Sequence, residues 1–169
     1  MALNAIAQAS AGGKVAMDVR YINPFVDAVG AVFTTMLHLQ PQRKTLKVSP
    51  TEPPGQQLTS IIGISGQVHG VVALRFPPET ALLLASRLLG TTFSEVNDEV
   101  IDAVAEMVNM VAGNAKAKFD HDPPLQLGLP TVVEGQGYRL KYPTGAFWLE
   151  VPFETDAGPF SLEVTYSAK

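Results

Sequence analysis

Apolar and polar positions change period several times along the chain, and each change marks an element. Phe25, Val29, Val32, Phe33, Met36 and Leu37 recur at one-sided helical spacing. Asn23-Pro24 is the start signal, since Pro fits a first helical turn and Asn can cap it, and Pro41 closes the segment. Pro41, Pro50, Pro53 and Pro54 make residues 41–55 mostly loop, with an edge strand expected at Thr45–Ser49. Two β-rich runs, Thr59–Ser65 and His69–Phe76, flank Gly66-Gln67 and predict a hairpin. Their near-continuous apolar character predicts helices over at least one face. Pro77-Pro78 ends the second run and opens a helix over Glu79–Leu89, stopped by Gly90.

A longer helix is predicted from Ser94 or Asn97 to Phe119, where Pro123-Pro124 forbids continuation. β character then returns. The runs are Gln126–Glu134, broken at Pro130, then Tyr138–Tyr142, Gly145–Phe153 and Phe160–Tyr166, the last two joined by the turn Asp156-Ala157-Gly158-Pro159. The order predicts an α+β fold: a largely antiparallel sheet with two long helices and one shorter helix packed on one face. Residues 1–17 are rich in Ala and Gly and lack both a basic start and a sustained apolar stretch. They read as a flexible tail before a single domain over 18–169.

Composition narrows the chemistry. The 169 residues carry 12 Lys/Arg against 16 Asp/Glu, with no basic run, so nucleic acid and anionic membranes are poor partners. No stretch of about 18 apolar residues spans a membrane, which makes the cytoplasm the expected location. Cysteine is absent, which removes disulfides, thiolate catalysis and Cys-ligated zinc. His38, His69 and His121 are far apart in sequence.

The long helix holds the remaining candidates. At 100° per residue, Val100, Val104, Val108, Val111 and Ala115 fall within about 60° of one direction and form a buried stripe. Glu99, Asp102, Glu106, Asn109, Gly113 and Lys116 lie opposite. A polar face opposite an apolar stripe is ordinarily a solvated surface. Two residues argue for more. Asn109 competes for backbone hydrogen bonds in mid-helix, and Gly113 costs about 1 kcal/mol relative to Ala. Gly113 also leaves a notch that a partner's backbone can approach.

Asp102-xxx-Glu106-xx-Asn109, followed by Gly113-Asn114, resembles the signature of the CheC/CheX/FliY phosphatases of bacterial chemotaxis. Tyr21-Ile22-Asn23-Pro24-Phe25, the hairpin and helix over Gly63–Gly90, and Leu129-Pro130-Thr131-Val132-Val133 with Gly135 are similar to CheX members in particular. The resemblance covers residues 18–167. It implies a phosphatase acting on the aspartyl phosphate of a phosphorylated CheY-like response regulator. Glu106 then pairs with the regulator's active-site lysine, Asn109 positions the attacking water, and Asp102 has a supporting role. It also implies no cofactor or metal of the chain's own, Mg²⁺ supplied by the regulator, and a homodimer joined through sheet edges. The first helix offers only Asp27-xx-Gly30 where two-site members carry a second motif, and Gly cannot orient a water, so one active centre is expected.

These roles are chemically economical. Acyl-phosphate hydrolysis needs a water in line with the leaving carboxylate, and the regulator's own Mg²⁺ and lysine handle the phosphoryl charge. An amide holds a water without titrating. Residues three apart are separated by about 4.5 Å along the axis, so one helix can meet both lysine and phosphoryl group. A binding module that recognises a receiver domain without catalysis, and a structural relative of flagellar switch proteins, are the alternatives.

Other features read as structural. Gly63-Ile64-Ser65-Gly66 lacks the spacing and the strand-turn-helix context of a nucleophile elbow. Gly12-Gly13-Lys14 lacks a phosphate loop's pattern. Asp120, His121 and Asp122 fit helix-end solvation better than metal binding, Asp27 fits a solvated carboxylate, and Trp148 fits core or interface. The aromatic-rich segment Gly145–Tyr166 invites pairing if its edge is exposed.

Overall fold

The computed structural model describes residues 19–47, 55–66, 68–119, 123–141 and 145–168. After a 3-10 turn at Val19–Tyr21 come α1 (Asn23–Leu37), β1 (Gln42–Arg43), β2 (Gln56–Ser65), β3 (Val68–Phe76), α2 (Pro78–Leu89) and α3 (Asp98–Lys116). β4 (Gln126–Leu127), β5 (Thr131–Gln136), β6 (Phe147–Thr155) and β7 (Gly158–Ala168) follow. Every pairing among these strands is antiparallel, in the order β1-β6-β7-β3-β2-β4. β5 also pairs with β2, so β4 and β5 share one edge of it, at Ile64–Ser65 and Gln56–Ile61 respectively. The fold class expected from the sequence holds.

Strand alternation sorts the sheet into two faces. Leu58, Ile62, Leu74, Phe76, Val151 and Leu162 are fully buried on the face that the helices cover. From the other side α1 contributes Phe25, Val29 and Phe33, α2 contributes Ala81 and Leu84, and α3 contributes its valine stripe. Phe160 is the hub. Its ring stacks on Phe33 at 4.5 Å and on Phe153 at 5.1 Å, with Phe76 at 5.8 Å, tying α1, β3, β6 and β7 together. Each such pair adds about 0.5–1.5 kcal/mol beyond its buried area. The outer face is polar: Gln57, Thr59, Arg75, Glu150, Glu163 and Thr165 are buried there.

Several boundaries differ from the sequence reading, for local reasons. Asn23 lies inside α1 and Ile22 occupies the cap position, where no side chain bonds to the helix end. α1 stops before Pro41 because His38 turns left-handed at φ 54°, and the Leu39 amide bonds to the Phe33 carbonyl at 3.1 Å. α2 does end at Gly90, which takes φ 68°. The edge strand expected at Thr45–Ser49 begins earlier, as β1, with an isolated bridge from Lys47 to Glu150 beyond it, and Val48 and Ser49 lie outside the described residues. Phe119 lies past the end of α3, in a turn whose Lys118 and Phe119 amides bond to Ala115 and Lys116. Gln126–Glu134 is broken around Pro130, into β4 and β5.

The strand expected at Tyr138–Tyr142 does not form over Tyr138–Lys141. Tyr138 crosses the outer face instead. Its hydroxyl bonds to Thr59 and its ring lies 5.4 Å from the Arg75 guanidinium carbon. The 1–17 tail, Gly12-Gly13-Lys14, Tyr142 and the Asp120-His121-Asp122 cluster fall outside the described residues.

The centre of the sheet depends on one close approach. At Gly70 of β3, opposite Tyr166 of β7, a Cβ would collide with the Thr165 carbonyl oxygen and sit 2.8 Å from the Tyr166 Cα. Backbone on both strands would have to move. Gly70→Ala is therefore expected to cost about 1–3 kcal/mol, read as a lower urea midpoint. An unchanged midpoint would show that β3 and β7 separate freely.

Candidate active site

α3 is set by its ends and its buried stripe. Asn97 caps it, its side-chain oxygen accepting the Val100 amide at 3.0 Å, a contact worth about 1 kcal/mol. Asp98 and Glu99 in the first turn and Lys116 in the last complement the helix dipole. Val100, Val104, Val108, Val111 and Ala115 are all buried, and Ala103, Met107 and Ala112 widen the stripe. The remaining rotation is forced. Asp102, Glu106, Asn109 and Gly113 are exposed on the other side, as the spacing predicts, and Asn114 is exposed at the flank of the stripe.

Glu106 and Asn109 stand nearly one turn apart, about 4.5 Å along the axis. Among the described residues neither side chain has a hydrogen-bond or ion-pair partner, and the same holds for Asp102 and Asn114. The carboxylate and the amide are therefore presented to solvent uncommitted. Gly113, one turn beyond Asn109, has nothing within 4 Å of where a Cβ would stand. The space above it is open.

α1 lies beside this helix. Phe25 meets Phe119 at 5.7 Å, and Asp27 lies 3.7 Å from the Lys118 ammonium. Asp27 is thus not merely solvated. Both of its groups are largely exposed, which limits the pair to at most about 1 kcal/mol. Gly30 has open space above it and offers no amide, so α1 holds no equivalent of the Glu106–Asn109 pair.

Ser65 ends β2 at the hairpin, away from any elbow. Trp148 alternates onto the outer face of β6, partly buried, while Leu149, Val151 and Phe153 take the core. Among the described residues no three His, Asp or Glu side chains converge on a metal position, and no helix is long and apolar enough to cross a membrane.

The sequence reading missed the ion pair of the outer face. Arg75 donates from Nε and Nη2 to the two oxygens of Glu163, at 3.1 and 3.3 Å, with both side chains buried. Burial pushes the Glu163 carboxyl above its ordinary range, Arg75 pulls it back, and Glu150 raises it. Glu150 accepts from Ser161 at 2.8 Å and lies 3.8 Å from the Lys47 ammonium. A charge inside the apolar run Val71–Phe76 was the available signal for Arg75. Its partner stands 88 residues away, beyond any local pattern.

Known proteins resemble this arrangement over most of the chain. The family described as Chemotaxis phosphatase CheX matches residues 58–154. The CheY-P phosphatase CheX of Thermotoga maritima is 30% identical over 128 residues, covering 74% of this chain and 82% of that protein. A CheC-like superfamily protein from a Shewanella species shares the fold at a TM-score of 0.80 and 24% identity, over 90% of this chain and all of that one. A CheX–CheY–BeF3–Mg²⁺ complex from Borrelia burgdorferi matches at a TM-score of 0.71 and 25% identity, over 88% of this chain and 99% of that one. With more than half its length inside the matched region, and with the sheet and helices of those structures, the chain belongs to the CheX family of chemotaxis phosphatases.

Proposed function

We propose that the protein is a cytoplasmic phosphatase that hydrolyses the aspartyl phosphate of a CheY-like response regulator. The observation that carries this reading is the uncommitted Glu106–Asn109 pair, exposed one turn apart on a helix whose rotation the core fixes. The Thermotoga relative is named for the same activity, and the Borrelia complex joins CheX to CheY with BeF3 and Mg²⁺.

In this mechanism α3 lies across the regulator's active site. Glu106 pairs with the regulator's lysine and sets the register of docking. Asn109 then reaches the phosphoryl group, and its amide holds a water in line with the phosphorus–oxygen bond to the aspartate. Water attacks phosphorus, the aspartate carboxylate leaves, and inorganic phosphate is released. Mg²⁺ belongs to the regulator and bears the phosphoryl charge. The chain adds positioning, which suffices for a large effect, because a 100-fold acceleration requires about 2.7 kcal/mol. Asp102 flanks the lysine contact, and Gly113 and Asn114 line the far end of the docking face.

The sheet edges suit a second copy of the chain. β1 covers β6 only at Phe153 and Glu154, and beyond the bridge at Glu150 no described strand lies beside Phe147–Leu149. We assign this edge to homodimer formation. Sedimentation at micromolar concentration is expected to show a dimer, and monomer alone would overturn the assignment.

Phosphate release from a phosphorylated CheY-like protein tests the catalytic roles. Asn109→Ala is expected to slow release about 100-fold while regulator binding persists. Glu106→Ala is expected to weaken binding as well. If neither substitution slows release, the mechanism is wrong. If the unmodified protein binds the regulator without hastening release, the protein is a receiver-binding module.

Gly113→Ala separates stability from docking. It is expected to stabilise α3 by about 1 kcal/mol, yet to raise KM for the phosphorylated regulator. An unchanged KM would mean that the notch receives nothing.

A further inference from the structure

Leu129 stands out among the exposed apolar side chains. It is 88% exposed, whereas Met36, Leu83 and Leu89 are about half exposed. Its backbone is fixed on both sides. The Gly128 amide bonds to the Gly63 carbonyl at 2.9 Å, Pro130 has a locked φ, and Thr131 pairs with Ile61. Leu127 pairs with Ile64, so Gly128, Leu129 and Pro130 span only Gly63 and Ile62 of β2. The extra residue is a β-bulge at the sheet edge. With Gly128 opposite Gly63, Leu129 and Pro130 both stand opposite Ile62, which is buried under the helices. The bulge therefore turns Leu129 to the helical side of the edge, where strict alternation would have sent it to the outer face.

That edge flanks α3, which packs against both β4 and β5. The two also share a level. The end of α3 lies at the hairpin end of the sheet: Phe119 meets Phe25 in the first turn of α1, and Tyr21, just before α1, meets Tyr166, the partner of Gly70. Asn109 is seven residues before Lys116, about 10 Å back along α3. Ile62 is three residues before Ser65, about 10 Å back along β2. Leu129 thus stands beside α3 at about the height of Asn109.

A lone exposed leucine is ordinary. This one is placed by a bulge, and it stands beside a docking face too small to work alone. From Asp102 to Asn114 the helix offers about 18 Å by 10 Å, or about 200 Å². A specific interface covers about 800 Å² on each partner, with an apolar centre. The α3 face supplies carboxylates, amides and a glycine. We infer that Leu129 is an apolar anchor for the CheY-like regulator, extending the docking surface from α3 across the β4–β5 edge. The regulator answers it with an apolar patch beside its phosphorylation site. This rests on the reading that the regulator docks on α3.

The test compares Leu129→Ser with the unmodified full chain. Phosphate release from a phosphorylated CheY-like protein gives kcat and KM, and binding to the same protein loaded with BeF3 and Mg²⁺ gives Kd. KM and Kd are expected to rise about tenfold, with kcat and the urea midpoint unchanged. Leu129→Met is expected to keep both constants near those of the unmodified chain, and Leu83→Ser on α2 to change neither. Unchanged KM and Kd in Leu129→Ser overturn the inference and leave the phosphatase reading standing. If the unmodified chain binds the loaded regulator without hastening release, the phosphatase reading fails, and a tenfold weaker Kd in Leu129→Ser still upholds the inference. A chain that neither binds nor hastens release overturns both. An equal loss in Leu83→Ser also overturns the inference. So does loss of the dimer in Leu129→Ser with Kd unchanged, which would assign Leu129 to a second copy of the chain.

Discussion

Burial of Val100, Val104, Val108, Val111 and Ala115 fixes the rotation of α3 about its axis, and with it the direction of every side chain on the opposite face. Turning the helix by one residue would swing Glu106 and Asn109 through about 100° and bring polar groups toward the core. Each buried valine contributes about 1.5–3 kcal/mol, so the wrong rotation is strongly disfavoured. The uncommitted pair is therefore held by residues that never touch it. Asn97 sets where the helix begins, the stripe sets its angle, and the contacts of Phe25 with Phe119 and Asp27 with Lys118 tie its far end to α1.

The division of the sheet follows the same economy. One face is given to aromatic and aliphatic packing around Phe160, and it carries the helices. The other buries charge. Arg75 and Glu163 are removed from water and must satisfy each other, which their two-point geometry does only in part, since Nη1 is left over. A buried ion pair is seldom a net gain over apolar packing, so the stability of the sheet rests on the aromatic and aliphatic face instead. The two sides thus differ in chemistry: the helical side carries an open carboxylate and amide, and the other buries a guanidinium paired with Glu163.

Legibility in the sequence tracked the range of the interactions. The helix phase was readable because a 3.6-residue period is written into consecutive positions, so the α3 stripe and the exposure of Glu106, Asn109 and Gly113 came out in place. The hairpin at Gly66 and the Gly90 stop are equally local. The roles given to Glu106 and Asn109 came from resemblance, since periodicity alone predicts only a solvated face. What was lost depends on distant partners. Tyr138 has the composition of a strand residue, but its contacts with Thr59 and Arg75 draw it across the sheet. The pairing of Arg75 with Glu163 exists only once β3 and β7 lie together.

That juxtaposition of β3 and β7 also orders assembly. β7 follows every other strand in the chain, yet it sits between β3 and β6 at the centre of the sheet. The β2–β3 hairpin can close on itself early, while the far side of β3, from Val68 to Phe76, waits for a strand about 90 residues later. Until then an apolar strand edge stands open, ready to pair with any extended segment nearby. Gly70 lies in that waiting edge, where its bare backbone admits only a close-fitting neighbour. The contact that completes the sheet is thus the slowest to find, and a nascent chain is most exposed to misassembly just before it forms.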